Sequence, residues 1–205
     1  MKQHKEKILL HVCCATCSSY VIKVMAREFI PTIYYYNPNI HPFEEYLKRR
    51  LDIEGYVRSL GLDFIEGDYE PDRWQFFAEG LKHEPEGGAR CEICFRMRLN
   101  HVVLYAVQHD FQWFATTLTV SPHKKSGIIN RIGKELAEDY DLNFYQSDFK
   151  KHDGFKISVK MAKELDFYRQ DYCGCIPSYE QSRERKRTRE EITRQTQQIV
   201  SPTNV

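Results

Sequence analysis

The stretch that most constrains this chain is Lys7-Ile-Leu-Leu-His-Val-Cys-Cys-Ala-Thr-Cys17, a short apolar run that ends in three cysteines. From Ile8 to Cys13 it holds four aliphatic residues and neither Gly nor Pro. That composition suits a strand buried on both faces of a parallel sheet rather than one half in solvent. The thiols then sit at the strand's carboxyl end. In open α/β sheets the loops leaving that edge form the crevice where ligands and cofactors bind. Two further pairs, Cys91-Glu-Ile-Cys94 and Cys173-Gly-Cys175, lie far away in sequence. A sheet that gathers all three segments would build one metal–thiolate redox site.

At 205 residues the chain has room for one α/β domain with a sizeable core. The expected division is a single domain over 1–180 and a basic, polar tail over 181–205. A formal charge of +1 exerts no global pull toward nucleic acid or membrane. The longest apolar run is far below the roughly 20 residues of a membrane span, and the polar segment Met1–Lys7 lacks the apolar core of a signal peptide. The expectation is a soluble, cytoplasmic protein with no membrane partner. In that reducing compartment seven cysteines point to metal binding or catalysis, and their odd number defeats a simple disulfide framework.

Strand-like and helix-like segments alternate along the chain. Strands are expected at Ile8–Cys13, Ile30–Tyr36, Leu62–Ile65, Trp113–Val120 and Asn143–Gln146. Helices are expected over Ser18–Glu28, Pro42–Leu60, Glu70–Phe77, Cys91–His109, Ile128–Tyr140 and Ile157–Tyr168. This pattern predicts a parallel open sheet with helices on both faces and right-handed crossovers. The second cysteine pair falls in the first turn of its helix, and the third in a turn marked by Gly174 and Pro177. Residues 181–205 carry six Arg or Lys against three Glu and are expected to begin a helix that frays into disorder.

Four thiolates from two segments meet the needs of both a four-iron cluster and a structural zinc site. Cys13, Cys14, Cys91 and Cys94 supply four. A C-x-x-C at a helix start favours either metal, because the helix dipole and free N–H groups stabilise thiolate charge. In an extended strand Cys13 and Cys14 face opposite ways, so both reach one centre only if the chain turns sharply there. The plainer alternative makes Cys13 a small core hydrophobe and Cys91 with Cys94 half of a zinc site. The third pair argues against redox-silent zinc, since C-x-C in a reducing compartment forms a strained, easily reduced disulfide.

Together these motifs resemble the QueH family of epoxyqueuosine reductases. The resemblance rests on His11-Val-Cys-Cys-Ala-Thr-Cys17, Cys91-Glu-Ile-Cys94 with Arg96 and Arg98, Thr116-Thr-Leu-Thr-Val-Ser-Pro-His-Lys124, and Tyr172-Cys-Gly-Cys175. It spans about residues 7–180. It implies the last step of tRNA queuosine biosynthesis, reduction of the epoxide of epoxyqueuosine at the tRNA wobble position to the alkene. It also implies an adenine-nucleotide alpha-hydrolase-like (HUP-like) α/β fold. By this resemblance Cys13, Cys14, Cys91 and Cys94 ligate a [4Fe-4S] cluster, and Cys173 with Cys175 forms a redox-active disulfide. Cys17, at a position that is Cys or Asp in the family, is assigned to an additional metal such as iron beside the cluster.

Removing an epoxide oxygen as water takes two electrons and two protons, so an external electron donor is expected as a partner. His11 and His123 are the candidate proton donors. Lys124, Lys125, Arg183, Arg185, Lys186 and Arg187 are the candidate contacts to tRNA phosphates. One end of the run Tyr34–Tyr36 is expected to meet a base. Two other classes fit parts of the sequence. An ATP-dependent tRNA thiolation or ligase-type enzyme would cradle phosphate in Ser121–Gly127, but the loop after its first strand would be rich in Gly and Ser rather than thiols. A zinc-stapled tRNA-binding module would have no use for the C-x-C pair.

Overall fold

The structure, a computed structural model, describes residues 5–200, with side chains through residue 196. Its strands are β1 (Lys7–Val12), β2 (Ile30–Tyr35), β3 (Phe64–Glu66), β4 (Trp113–Thr116) and β5 (Asn143–Phe144). They form one parallel sheet in the order β3-β2-β1-β4-β5. The helices among the described residues are α1 (Ala15–Met25), α2 (Phe43–Ser59), α3 (Pro71–Ala78), α4 (Ala89–Gln108), α5 (Ser126–Asp139), α6 (Gly154–Glu164) and α7 (Ile176–Val200).

The apolar run of β1 becomes the middle of this sheet, and strand alternation divides it between two cores. Ile8, Leu10 and Val12 pack with Val21 and Ile22 of α1 and Ile53 and Val57 of α2. Leu9 packs on the opposite face with Leu99 and Val103 of α4 and Ile129 and Ile132 of α5. Helices therefore cover both faces, as the alternating pattern predicts. The strand order reverses at β1, with β2 on one side and β4 on the other. The crevice at the carboxyl ends of β1 and β4 is thus the switch point where open α/β sheets bind ligands.

α1 lies three residues earlier than expected and β5 stops at Phe144, and three further differences have a visible cause. The strand expected to reach Val120 stops at Thr116, and Thr117–Val120 form a 3-10 turn. Thr116 Oγ1 accepts the Leu118 N–H at 3.2 Å, so a hydroxyl bends the chain where β-branched composition favours extension. Helix α6 begins at Gly154 rather than Ile157. A Cβ at Gly154 would lie 1.9 Å from the Phe149 carbonyl oxygen, so only glycine allows this approach. The expected fraying tail instead continues a helix from Ile176 through Val200, across the expected boundary at residue 180. Its Arg, Lys, Glu and Gln are strong helix formers. Residues 201–205 of the tail lie outside the described residues. No described helix is long and apolar enough to cross a membrane.

Candidate active site

The chain leaves β1 at Cys13. Cys14, still extended at φ −171° and ψ 160°, caps α1, and its Sγ accepts the Cys17 N–H at 3.4 Å. This turn from strand to helix overcomes the alternation that would send neighbouring side chains apart. The Sγ atoms of Cys13 and Cys14 lie 3.9 Å apart. Those of Cys13, Cys14 and Cys17 all lie within 4.8 Å of one another. Metal–sulfur bonds of about 2.3 Å in a tetrahedron space sulfurs by about 3.8 Å, so the triplet has metal-binding dimensions. Gln170 Nε2 donates to Cys14 Sγ at 3.1 Å.

Mutual hydrogen bonding shifts the three thiols in opposite directions. Hydrogen bonds from Cys14 and Cys17 hold the Cys13 thiol well below its ordinary range. The contact with Cys13 pushes Cys14 up to about 12 and Cys17 well above its ordinary range. A cation bound there would favour the thiolate form of these cysteines.

Cys91 and Cys94 open α4, where the Gly87 N–H donates to Cys91 Sγ at 3.2 Å. Burial pushes the Cys91 thiol up to about 11 and raises that of Cys94. Cys91 belongs to the same packed cluster as Cys13 and Cys14, while Cys94 packs with Trp74, Ala78 and Cys175. In the third segment Gly174 takes φ +130°, and a Cβ there would meet Ile40 Cγ1 at 2.9 Å. Only glycine is at ease in that conformation. Ser178 Oγ accepts the Cys173 N–H at 3.0 Å. Burial, aided by the neighbouring Cys173, pushes the Cys175 thiol up to about 12. Both thiols of this pair are free.

Cations tie the segments together. Arg98 is 1% exposed, donates to Asn37 Oδ1, and faces Cys94, Cys13 and Cys173. Lys124 borders one cavity with Cys173, Cys13 and Cys17. Burial works against both charges, yet the thiols outweigh it and hold both groups above their ordinary ranges. Over this constellation lies a cavity of about 520 Å³, bordered by Cys13, Cys17, Cys173, Lys124, His123 and Arg185 among others. Its volume suits a nucleoside-sized ligand.

The family model described as epoxyqueuosine reductase QueH matches residues 8–181. The chain belongs to this family. Relatives described as epoxyqueuosine reductase QueH include one from Streptococcus pyogenes serotype M1, 41% identical over 178 residues, covering 84% of this chain and 70% of that one. One from Haemophilus influenzae is 39% identical over 195 residues, covering 94% and 78%. One from Thermotoga maritima is 35% identical over 182 residues, covering 87% and 93%. A crystal structure described as a predicted subunit of a tRNA methyltransferase from Methanocaldococcus jannaschii superposes with a TM-score of 0.52 at 12% identity, covering 75% of this chain and 74% of that one. At that identity the likeness concerns the fold alone, an α/β architecture.

In this QueH chain the residues singled out from sequence are distributed unequally. Cys13 and Cys14 share their tight set with Cys17, while Cys91 and Cys94 stand outside it. His11 is fully buried and does not border the cavity. Its Nε2 meets the Tyr36 carbonyl at 3.2 Å and so carries the hydrogen, leaving Nδ1 to accept from Thr116 Oγ1 at 2.9 Å. Burial, helped by Arg98, lowers its pKa to about 3. A neutral ring engaged on both nitrogens leaves His123, exposed at the cavity's border, as the histidine with access. Lys124 is turned into the cavity and Lys125 is exposed. On α7, Arg185 borders the cavity, Lys186 pairs with Asp171, Arg183 lies 5.7 Å above the Tyr179 ring, and Arg187 is exposed.

The tyrosine expectation is corrected. Tyr34, Tyr35 and Tyr36 are all 1% exposed or less. Tyr36 stacks on His101 at 3.7 Å and donates to Glu70 at 2.8 Å, so no ring of this run is presented to a base. Sequence reasoning also passed over Arg49 and Gln170. Arg49 reads as half of a surface i,i+4 pair with Glu45, yet it is 2% exposed.

Proposed function

We propose that this epoxyqueuosine reductase acts on epoxyqueuosine at the tRNA wobble position through a [4Fe-4S] cluster held by Cys13, Cys14, Cys91 and Cys94, with Cys173 and Cys175 as its redox-active pair. The observation that carries the reading is a cavity at the sheet's switch point bordered by Cys13 and Cys17 of the first cysteine segment, Cys173 of the third and the cations Arg98 and Lys124, with Cys91 of the second segment packed in one cluster with Cys13 and Cys14. The donor set fits the group. The ligands are soft thiols, and the cations oppose the net negative charge that four thiolates give such a cluster. When bound, the cluster supplies one-electron transfer and an iron able to act as a Lewis acid. Cys17 adds a fifth thiol beside Cys13 and Cys14, a place suited to an additional iron.

The residues of the chain supply the rest. Oxidation of the Cys173/Cys175 dithiol to a disulfide releases the two electrons and two protons that converting epoxide to alkene and water consumes. An external electron donor then restores the dithiol. His123 is the proton-carrying group with access to the cavity. The cavity accepts a nucleoside taken out of its stack, which is how enzymes reach a base for chemistry. Lys125, Arg183, Arg185 and Arg187 offer cations to the phosphates of the tRNA.

Anaerobic purification followed by iron and sulfide analysis, an absorption spectrum, and incubation with epoxyqueuosine-containing tRNA and a reductant tests this directly. A brown protein with about four iron and four sulfide per chain, forming queuosine in the tRNA, is expected. A colourless zinc protein that leaves the epoxide intact would overturn the proposal.

A further inference from the structure

We infer that Lys124 is a catalytic residue of the epoxide reduction, whose ammonium hydrogen-bonds the substrate oxygen as its bond to carbon breaks, and not a contact to the tRNA backbone. This rests on the reductase reading above and adds a role that charge and sequence position alone misassign.

Three observations single out Lys124 among the cavity's cations. The first is direction. Lys124 is half-buried and borders the cavity with Cys13, Cys17 and Cys173, whereas its neighbours Pro122, His123 and Lys125 are exposed. The second is commitment. Arg49 donates to Glu45 and to the carbonyls of Tyr172 and Cys173, and Arg98 donates through Nη2 to Asn37 while its buried Nε has no partner. The charged groups that act most strongly on Lys124 are three thiols and Arg98, with no carboxylate among them. Among the described residues no carboxylate lies within salt-bridge distance of the ammonium, although Glu86 and Asp171 border the same cavity, so its donors are open to a ligand there. The third is rigidity. Lys150 Nζ donates to the carbonyls of Thr119 at 3.3 Å and Lys124 at 3.4 Å, and is itself held by Asp148 at 3.0 Å. The His123 carbonyl packs close to Gly87, whose N–H serves Cys91. The backbone that carries Lys124 is thus held in place by the Lys150 ammonium.

The chemistry asks for such a group. Both carbon–oxygen bonds of the epoxide break, the carbons become the alkene, and the oxygen leaves as water. The dithiol gives up two electrons and two protons and becomes the disulfide, so atoms and electrons balance. When the first bond breaks, negative charge collects on an oxygen that must be held away from bulk water. A fixed cation with free N–H groups stabilises that charge more than it stabilises the neutral epoxide, which is how a preorganised donor lowers a barrier.

The test compares wild type, Lys124→Gln and Lys124→Arg in the iron-loaded protein. For Lys124→Gln, iron, sulfide and absorption spectrum, tRNA affinity and the salt dependence of binding should match wild type. Its single-turnover rate of epoxide reduction should fall by about 10²–10³, the loss typical of removing one oxyanion donor. Lys124→Arg should recover part of that rate. An unchanged rate in Lys124→Gln overturns the inference. So does a salt slope lower by about one, which marks a phosphate contact, or a loss of iron, which assigns the ammonium to the metal site. A wild-type protein that is inert on the epoxide removes the reductase reading. An active wild type whose rate survives Lys124→Gln removes only the role of Lys124.

Discussion

Arg49 Nη1 donates to the carbonyl oxygen of Cys173 at 2.9 Å, across 124 residues of sequence. Its Nη2 reaches the Tyr172 carbonyl at 3.2 Å and its Nε the Glu45 carboxylate at 2.8 Å. One buried guanidinium on α2 therefore clamps the backbone of the C-x-C turn. Replacing it with alanine leaves a carboxylate and two carbonyls buried without their donor. Arg49→Ala should cost about 3–5 kcal/mol, the range for breaking a buried ion pair from one side, read in urea or thermal unfolding. Arg49→Lys should restore only part of this, because a point charge cannot make three directed bonds. An unfolding midpoint equal to wild type in the alanine variant would contradict the clamp.

Cys91 stands outside the tight thiol triplet but in the same packed cluster. If it ligates the proposed cluster, Cys91→Ser should lower iron and sulfide and bleach the brown absorption, since a hard oxygen replaces a soft thiolate. Affinity for tRNA should persist, because the cations of α7 are untouched. Full iron content and full activity in this variant would take Cys91 out of the site.

Cys173→Ser should behave differently. Cys173 is held through its backbone by Ser178 and Arg49, so serine leaves the turn in place and removes only the sulfur. The iron spectrum should survive while steady-state turnover falls, because the dithiol can no longer cycle. Iron loss on this change would make Cys173 a ligand instead.

The parts of this molecule that sequence revealed are those governed by local periodicity. The run Ile8–Val12, the C-x-x-C in the first turns of α4 and the Gly174 turn each carry their own signal in composition or spacing. The parts it concealed depend on residues distant in the chain. Thr117–Val120 has strand composition, yet the Thr116 hydroxyl turns it at the sheet's edge. Arg49 and Lys124 look like surface charges on a helix and a loop, yet Arg49 is buried against the Cys173 backbone and Lys124 is half-buried beside the cavity that Cys173 borders. The nearness of Cys17 to Cys13 and Cys14, expected from the motif, comes from the strand-to-helix turn that Cys14 itself caps.

The basic stretch of α7 is open to the most direct measurement of tRNA contact. Arg183, Arg185, Lys186 and Arg187 lie on one helix at the end of which Arg185 borders the thiol cavity. Changing all four to alanine keeps the helix, since alanine is its best former. It removes cations from the rim without touching a cysteine. Four free phosphate contacts would flatten the salt dependence of tRNA binding by about four. Lys186, however, already pairs with Asp171, so its contribution should be largely absent and the expected change is nearer three by the same rule. The Tyr179 ring beneath Arg183 does not neutralise its charge, so Arg183 still counts. Binding titrations over a range of salt, with the absorption spectrum as control, read this out. An unchanged slope would move the tRNA-binding face from α7 to the exposed loop around His123 and Lys125.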